Sequence, residues 1–140
     1  MSTPLDLLFP YQRKWYNDTS RFKCVLWSRQ IGKDFTCAAE VTADCLQRRG
    51  TTWMIVAPSE RQSFESLAKC REWSEAFKLA IANEIEEREA PGALVKSSQI
   101  QYENGSRVIA VPGRPDTVRG FSANVLMTEF GFFDDPEATW

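Results

Sequence analysis

The sequence of 140 residues contains no histidine. This absence excludes Ser-His-Asp and Cys-His catalysis together with the commonest zinc sites, because each of them uses an imidazole. Any chemistry must therefore use carboxylates, lysine, arginine, hydroxyl groups or a bound metal ion. An excess of positive charge is also missing: the net charge is −2, so the sequence does not indicate the basic surface of a stand-alone DNA-binding domain.

Long apolar runs and paired cysteines are missing as well. No stretch approaches the roughly 20 apolar residues that cross a bilayer, and the N-terminus lacks the basic and apolar segments of a secretion signal. The four cysteines, Cys24, Cys37, Cys45 and Cys70, have no CxxC spacing and lie in apolar stretches. We expect small buried side chains in a reducing compartment, and neither disulfides nor a zinc site.

Hydrophobic periodicity predicts one α/β domain over residues 1–140. Helical spacing predicts a helix at 35–46, a longer one at about 59–83, and short helices after Pro10 and after Asp135. An acidic stretch then leads to Pro91-Gly92 and predicts an exposed loop. Nearly continuous apolar segments predict buried strands at 22–27 (FKCVLW), 53–57 (WMIVA) and 125–127 (VLM).

The period of the pattern changes to two on either side of Asn104-Gly105. This alternation predicts a β-hairpin over about 100–111, closed by a type I′ turn. Strands that alternate with helices and end in a hairpin favour a mainly parallel sheet, flanked by helices, with an antiparallel addition.

The segment Ser28-Arg29-Gln30-Ile31-Gly32-Lys33-Asp34 separates a predicted strand from a predicted helix. Phosphate-binding loops occupy this place, because backbone N–H groups at a helix N-terminus face the anion while a glycine lets the backbone close and a lysine reaches the phosphate oxygens. Against the pattern GxxxxGK[ST], Trp27 replaces the first glycine and Asp34 replaces the hydroxyl. Taken alone, the segment is equally compatible with an ordinary strand–helix turn.

A second candidate segment is 125–129 (VLMTE), an apolar strand that ends in Glu129. NTPases of the ASCE type place a metal-binding acid and a water-polarising glutamate at such a strand end, beside the phosphate loop. Here Thr128 stands where the metal-binding acid would be. Taken alone, a strand end with a chance glutamate is the better interpretation.

Together and in this order, the motifs resemble those of viral large terminase subunits, in particular those of Mu-like phages and prophages. SRQIGK resembles the family's deviant Walker A motif, in which an arginine follows the serine. FPYQ at 9–12 resembles the adenine-contacting Q motif. The resemblance extends from about residue 8 to 140 and includes NGSRVIA at 104–110, PDTVRGFS at 115–122 and VLMTEFGFF at 125–133.

The resemblance implies a P-loop NTPase fold of the ASCE type and the N-terminal part of a terminase ATPase domain. The fold would be incomplete at the C-terminus, without the nuclease domain, and the isolated piece would turn over ATP poorly. The implied activity is ATP hydrolysis with Mg²⁺, coupled to translocation of double-stranded DNA into a procapsid. The implied partners are the portal protein, the small terminase subunit and further copies in a ring, in the host cytoplasm and transiently at the portal, with no membrane.

The resemblance also implies a role for each motif residue. Gln12 would read the adenine edge, with Tyr11 or Phe9 packed nearby. The nucleotide would otherwise be held by the loop from Ser28 to Asp34, in which Gly32 and Lys33 cradle the β- and γ-phosphates. The three catalytic side chains would be Arg29, which steadies the γ-phosphate, Glu129, which orients the attacking water, and Arg119, which faces the ATP of a neighbouring subunit.

Asp34 and Thr128 depart from the usual Walker motifs in complementary ways. Our hypothesis is that carboxylate and hydroxyl have exchanged places, so that Mg²⁺ still meets one of each. The competing interpretation is a weakened site, in which Asp34 is merely an acid suited to a helix N-terminus. Two other function classes stay open: a helicase or translocase ATPase, and a nucleotide-fold interaction module without catalysis.

Overall fold

A mixed β-sheet forms the centre of the computed structural model, which describes residues 4–77, 81–86, 98–113 and 122–139. The described strands lie in the order β2-β3-β4-β1-β5. β1 pairs in parallel with β4 and β5, while β2, β3 and β4 pair antiparallel. The strand bounds are β1 Thr52–Ala57, β2 Ile81–Glu86, β3 Ser98–Tyr102, β4 Arg107–Pro112 and β5 Asn124–Met127. A parallel core with an antiparallel addition confirms the predicted architecture.

The two faces of the sheet carry separate parts of the core. Ile55 of β1 and Val108 of β4 pack with the helices on one face, whereas Met54 and Val56 pack with Phe133 on the other. Successive side chains of a strand point to opposite faces, so a central strand covered on both sides needs a continuous apolar run. The apolar run 53–57 therefore correctly predicts a buried strand.

The described helices are α1 Pro10–Tyr16, α2 Lys33–Gln47, α3 Glu60–Ala76 and α4 Pro136–Thr139, with 3₁₀ turns at Pro4–Leu7 and Phe130–Phe132. Ser59 caps α3, since its Oγ accepts a hydrogen bond from Gln62 N at 3.3 Å. Asp135 caps α4 through Ala138 N at 3.0 Å. None of the helices in the described residues combines the length and the apolar character that a bilayer-spanning segment needs.

The predicted end of α3 is wrong, and so is the part of the predicted acidic loop at residues 84–86, which belongs to a strand. The helix stops at Ala76, and residues 81–86 form β2, which pairs antiparallel with β3. Pairing with an available strand edge overrides the helical periodicity of this segment. Residues 87–97, with Pro91-Gly92, lie outside the described residues.

The predicted hairpin is confirmed, but its turn is not of type I′. Tyr102 N donates to Ser106 O at 2.8 Å, so three residues form the loop, and of these only Gly105 has a positive φ, 83°. A type I′ turn needs two such residues. The Asn104 side chain instead donates to Cys45 O at 2.7 Å, which ties the turn to the end of α2.

The predicted buried strand at 22–27 is also wrong. These residues, all within the described range 4–77, form no strand, and the side chains of Phe22 and Leu26 are 73% and 99% exposed. β1 pairs directly with β4 and β5, so the segment takes no place in the described sheet. Cys24 within it is exposed, against the prediction, whereas the other three cysteines are buried as predicted.

Candidate functional site

The loop that precedes α2 has two residues in the left-handed region. Gln30 has a φ of 59° and Gly32 a φ of 77°. The positive φ at position 32 favours glycine, and a Cβ there would lie 2.6 Å from Gln12 Nε2, so that amide would have to shift. Gly32 O accepts hydrogen bonds from Thr36 N and Thr36 Oγ1, at 2.9 and 2.8 Å, which start the helix. The loop therefore leads directly into a helix N-terminus, where backbone N–H groups favour an anion.

The first helical residue reaches the end of β5. Lys33 Nζ lies 2.7 Å from Glu129 Oε1, and the two side chains are 28% and 27% exposed. Glu129 itself is left-handed, with a φ of 55°, where the chain turns from β5 into the 3₁₀ turn. A non-glycine residue held at positive φ costs of order 1–3 kcal/mol and is typical of functional sites. The structure thus brings together the amine and the carboxylate that the sequence singles out.

The neighbouring residues form a second contact between the same two segments. Thr128 Oγ1 donates to Asp34 Oδ1 at 3.0 Å, across 94 positions of sequence. Thr128 N also donates to Val56 O at 2.9 Å, which extends the parallel pairing of β5 with β1 by one residue. The two residues that depart from the usual Walker motifs therefore contact each other.

The Asp34–Thr128 pair is suited to a hard divalent cation. A carboxylate and a hydroxyl oxygen are ligands that Mg²⁺ accepts in proteins, usually with phosphate oxygens and water as its other ligands. Among the described residues, no three His, Cys, Asp or Glu side chains come together as a metal-binding group. Cys37, one turn further along α2, has its pKa raised to about 12 by burial, so its thiol stays protonated at neutral pH. The donor set fits a magnesium ion shared with a phosphate.

Helix α1 lies against the loop. Tyr11 Oη and Gln12 Nε2 both donate to Ile31 O, at 2.9 and 3.1 Å, and Gln12 Oε1 accepts from Phe9 N at 2.8 Å. Rings continue this contact: Phe9 stacks on Tyr11 at 5.9 Å, and Tyr11 meets the edge of Trp27 at 5.4 Å. The Q-like segment and the loop are therefore neighbours, as the resemblance implies.

Other candidate residues lie less deeply in the site or outside the described part. Ser28 and Arg29, like Gln30, are exposed on the loop. Arg119 lies outside the described residues. The site as described consists of the loop, Lys33 and Asp34 on one side and Thr128 and Glu129 on the other.

Sequence reasoning missed a contact behind Glu129. Gly113, which follows β4, lies directly under the ring of Phe133, and a Cβ there would approach that ring to 2.1 Å. Gly113 N donates to Ala57 O at 2.6 Å, so the glycine backbone lies close to the end of β1. Phe132 N donates to Glu129 O at 2.9 Å and closes the turn in front of Phe133. The sequence signal for this contact is a glycine directly after an apolar strand. That pattern does not identify Phe133 as the ring that packs on the glycine.

A family model and two curated proteins match most of this chain. A sequence model of the family described as "Terminase large subunit, T4likevirus-type, N-terminal" matches residues 24–140. Mu-like prophage FluMu protein gp28 of Haemophilus influenzae is 24% identical over 94% of this chain and 27% of its own length. The "Probable terminase, large subunit gp28" of Escherichia phage Mu is 25% identical over 89% of this chain and 24% of its own length. The chain thus spans about a quarter of the length of these curated relatives.

The solved structures support the fold. The ATPase domain of the Thermus phage P74-26 large terminase superposes with a TM-score of 0.57 at 17% identity, over 91% of this chain and 57% of that one. A mutant of the same domain, in which one arginine is changed to alanine, gives a TM-score of 0.56 at 16% identity, over 89% and 54%. The α/β sheet with its flanking helices is consistent with a P-loop ATPase fold. The chain belongs to the T4likevirus-type terminase large subunit family, to whose N-terminal region its residues 24–140 correspond.

Proposed function

We propose that this chain binds ATP together with Mg²⁺ between the loop 28–34 and the end of β5, as the ATPase part of a DNA-packaging motor. The observation that carries the proposal is the 2.7 Å contact between Lys33 and Glu129. An amine able to bind phosphate and a carboxylate able to orient water lie side by side, at a helix N-terminus. Phosphoryl transfer depends mainly on such positioning and on charge stabilisation.

The residues divide into those that bind and those that act on the attacking water. Gly32 N–H and Lys33 hold the β- and γ-phosphates, and Arg29 reaches the γ-phosphate from the exposed part of the loop. When phosphate oxygens bind the ammonium group of Lys33, they replace Glu129 as its partner, and the carboxylate of Glu129 becomes free to bind water. Glu129 then accepts a hydrogen bond from a water molecule and orients it for in-line attack.

Asp34 and Thr128 would hold the magnesium ion. Mg²⁺, when bound, neutralises negative charge on the phosphates. The 3.0 Å contact between Thr128 Oγ1 and Asp34 Oδ1 supports the exchange of carboxylate and hydroxyl, since exchanged ligands have to lie together. Without a cation between them, the carboxylate of Asp34 would repel a phosphate.

The remaining proposals rest on family membership. Hydrolysis would drive double-stranded DNA into a procapsid, with the portal protein and the small terminase subunit as partners, in the host cytoplasm and at the portal. Several copies would form a ring in which Arg119 of one copy stabilises the transition state at the next, a contribution commonly worth about 10³–10⁵ in rate. We therefore expect slow turnover from the isolated chain of 140 residues.

A second candidate function is a nucleotide-binding module without turnover. Asp34 favours it, because a carboxylate in the first turn of α2 takes the place of the usual hydroxyl. Helicase or translocase activity differs from packaging in needing DNA but no portal.

One set of measurements separates these functions. Mg²⁺-dependent ATP binding is titrated with the chain, and ATP turnover is measured with the full-length protein, alone, with DNA, and with DNA and portal. The packaging proposal expects binding and a turnover rate that rises only when portal and DNA are both present. Binding without turnover in any mixture would identify the module, and full stimulation by DNA alone would identify a helicase-type enzyme.

A further inference from the structure

The carbonyl oxygen of Ile31 accepts two hydrogen bonds from α1. Tyr11 Oη donates at 2.9 Å and Gln12 Nε2 at 3.1 Å. The other end of the Gln12 amide is engaged as well, because its Oε1 accepts from Phe9 N at 2.8 Å. Gln12 is only 3% exposed. Its amide therefore lies between the helix and the loop and not on the surface.

These contacts fix the orientation of the peptide between Ile31 and Gly32. In a trans peptide, the carbonyl and the N–H point in opposite directions. Because α1 holds Ile31 O, the N–H of Gly32 is directed away from α1. A Cβ at Gly32 would lie 2.6 Å from Gln12 Nε2, so the amide packs tightly against this peptide. In a phosphate-binding loop, backbone N–H groups held in this way contact the anion.

We propose that Tyr11 and Gln12 are positioning residues that set the phosphate affinity of the loop and do not discriminate adenine from guanine. The inference rests on the proposed nucleotide site and deepens it. Side chains at the positions of an adenine-reading motif act through the Ile31–Gly32 peptide. Tyr11 and Gln12 then contribute nothing to the choice between ATP and GTP. Their effect on affinity is the same for tripolyphosphate, which has no base, as for ATP.

The two roles predict opposite patterns of affinity. A glutamine that reads the base edge affects ATP and GTP differently, because a site built to pair with one base leaves polar groups unpaired against the other. It leaves inorganic tripolyphosphate unaffected, since that ligand has no base. A residue that orients the loop changes the affinity for all three ligands by the same factor.

The experiment titrates ATP, GTP and inorganic tripolyphosphate, each with Mg²⁺, into the wild-type chain and its variants by calorimetry. Loss of one hydrogen bond to Ile31 O in Tyr11→Phe is expected to weaken all three ligands about twofold to tenfold. Gln12→Ala removes a buried partner and is expected to weaken all three by about tenfold or more. The ratio of ATP to GTP affinity stays at its wild-type value in both variants.

Tyr16→Phe is the matched control, because it removes the same hydroxyl from the same helix. Tyr16 is partly buried and packs against the core cluster that the helices and the sheet share. The Gly32 amide proton supplies a local readout by NMR. In wild type and in Tyr16→Phe we expect it to shift downfield when tripolyphosphate binds, and in Tyr11→Phe this shift is reduced.

Three results would overturn the inference. The first is an unchanged tripolyphosphate affinity in Tyr11→Phe, which also decides the matter if Gln12→Ala fails to fold. The second is a change of the ATP to GTP ratio of more than about tenfold in either variant, the pattern of a base-reading side chain. The third is a reduced amide shift in the Tyr16→Phe control. A wild-type chain that binds none of the three ligands would instead refute the nucleotide site itself.

Discussion

The two sides of the candidate site are built in different ways. The loop side, residues 28–34, is one continuous stretch whose shape follows from two left-handed residues and the start of α2. The strand side, residues 128–133, is brought there by the pairing of β5 with β1, and it is held from behind by Gly113. One side depends on local backbone geometry and the other on the packing of the whole sheet. The loop side is therefore the part that sequence alone describes best.

The chemistry divides along the same line. In the proposed function, the loop side offers N–H groups and an amine that would bind phosphate in the ground state. The strand side offers Glu129, which would contribute when water attacks. Mutations on the loop side should therefore affect ATP affinity, and mutations of Glu129 should affect the turnover rate.

The largest effect is expected from Glu129→Gln, which keeps the shape of the side chain and removes its charge. Turnover by the full-length protein with portal and DNA should fall about 10²–10⁴-fold, the usual contribution of a general base. ATP affinity should hold or improve, because Lys33 loses its competing partner. Glu103→Gln, at the exposed hairpin turn, is the control and should leave both quantities unchanged. Equal losses in ATP affinity and turnover would show that Glu129 contributes to binding, and the loop side and the strand side would then not differ in function.

Lys33→Ala tests the loop side. Loss of charge-assisted hydrogen bonds to phosphate should weaken ATP binding about tenfold to a hundredfold, measured by calorimetry with Mg²⁺. Lys14→Ala removes the same charge from the exposed face of α1 and should change the affinity little. An affinity that survives in Lys33→Ala would show that the amine does not meet the phosphates.

Gly113→Ala tests the packing that supports the strand side. The added Cβ would enter the ring of Phe133, so the ring must move, and we expect a loss of about 1–3 kcal/mol in the free energy of unfolding. Gly131→Ala is the matched control, because a Cβ there meets nothing within 4 Å. Urea unfolding curves of both variants supply the comparison. Equal stability of the two would mean that the ring does not rest on Gly113.

The smallest effect is expected at the segment that enters the loop. Leu26 is 99% exposed, so Leu26→Asp should change the free energy of unfolding of this chain by less than about 0.5 kcal/mol. Leu67→Asp places the same side chain in the core, where Leu67 is 2% exposed, and should destabilise the chain severely. Urea unfolding measures both. A large loss in Leu26→Asp would restore the predicted buried strand at 22–27.

Sequence patterns predicted those elements whose partners are implied by the pattern itself. The apolar run of β1 signals cover on both faces, and the alternation around Asn104-Gly105 signals two strands that pair with each other. The segment 22–27 has a similar apolar composition, but composition measures the tendency to be buried and does not supply a neighbouring strand. The helix predicted at about 59–83 extends too far because helical periodicity likewise does not reveal a strand partner, and residues 81–86 pair with β3.

The site shows the same limit. The order of the motifs predicted that Lys33 and Glu129 belong to one site, and the two side chains do lie together although the strand predicted at 22–27, before the loop of Lys33, is absent. The packing of Phe133 on Gly113 could not be predicted, since it depends on the distance between one ring and the backbone at the end of one strand. The hydrogen bond from Gln12 to Ile31 O could not be predicted either, because a motif identifies a residue but not the atom to which its side chain bonds.

The central claim is that both sides serve one magnesium-bound nucleotide, and the contact between Asp34 and Thr128 permits the most direct test. Mg²⁺-dependent ATP affinity is measured for Asp34→Thr, Thr128→Asp and the double variant. We expect each single change to weaken binding, because it leaves two hydroxyls or two carboxylates, and the double change to recover most of the loss, with a coupling of about 0.5–3 kcal/mol. Losses that simply add in the double variant would contradict the claim.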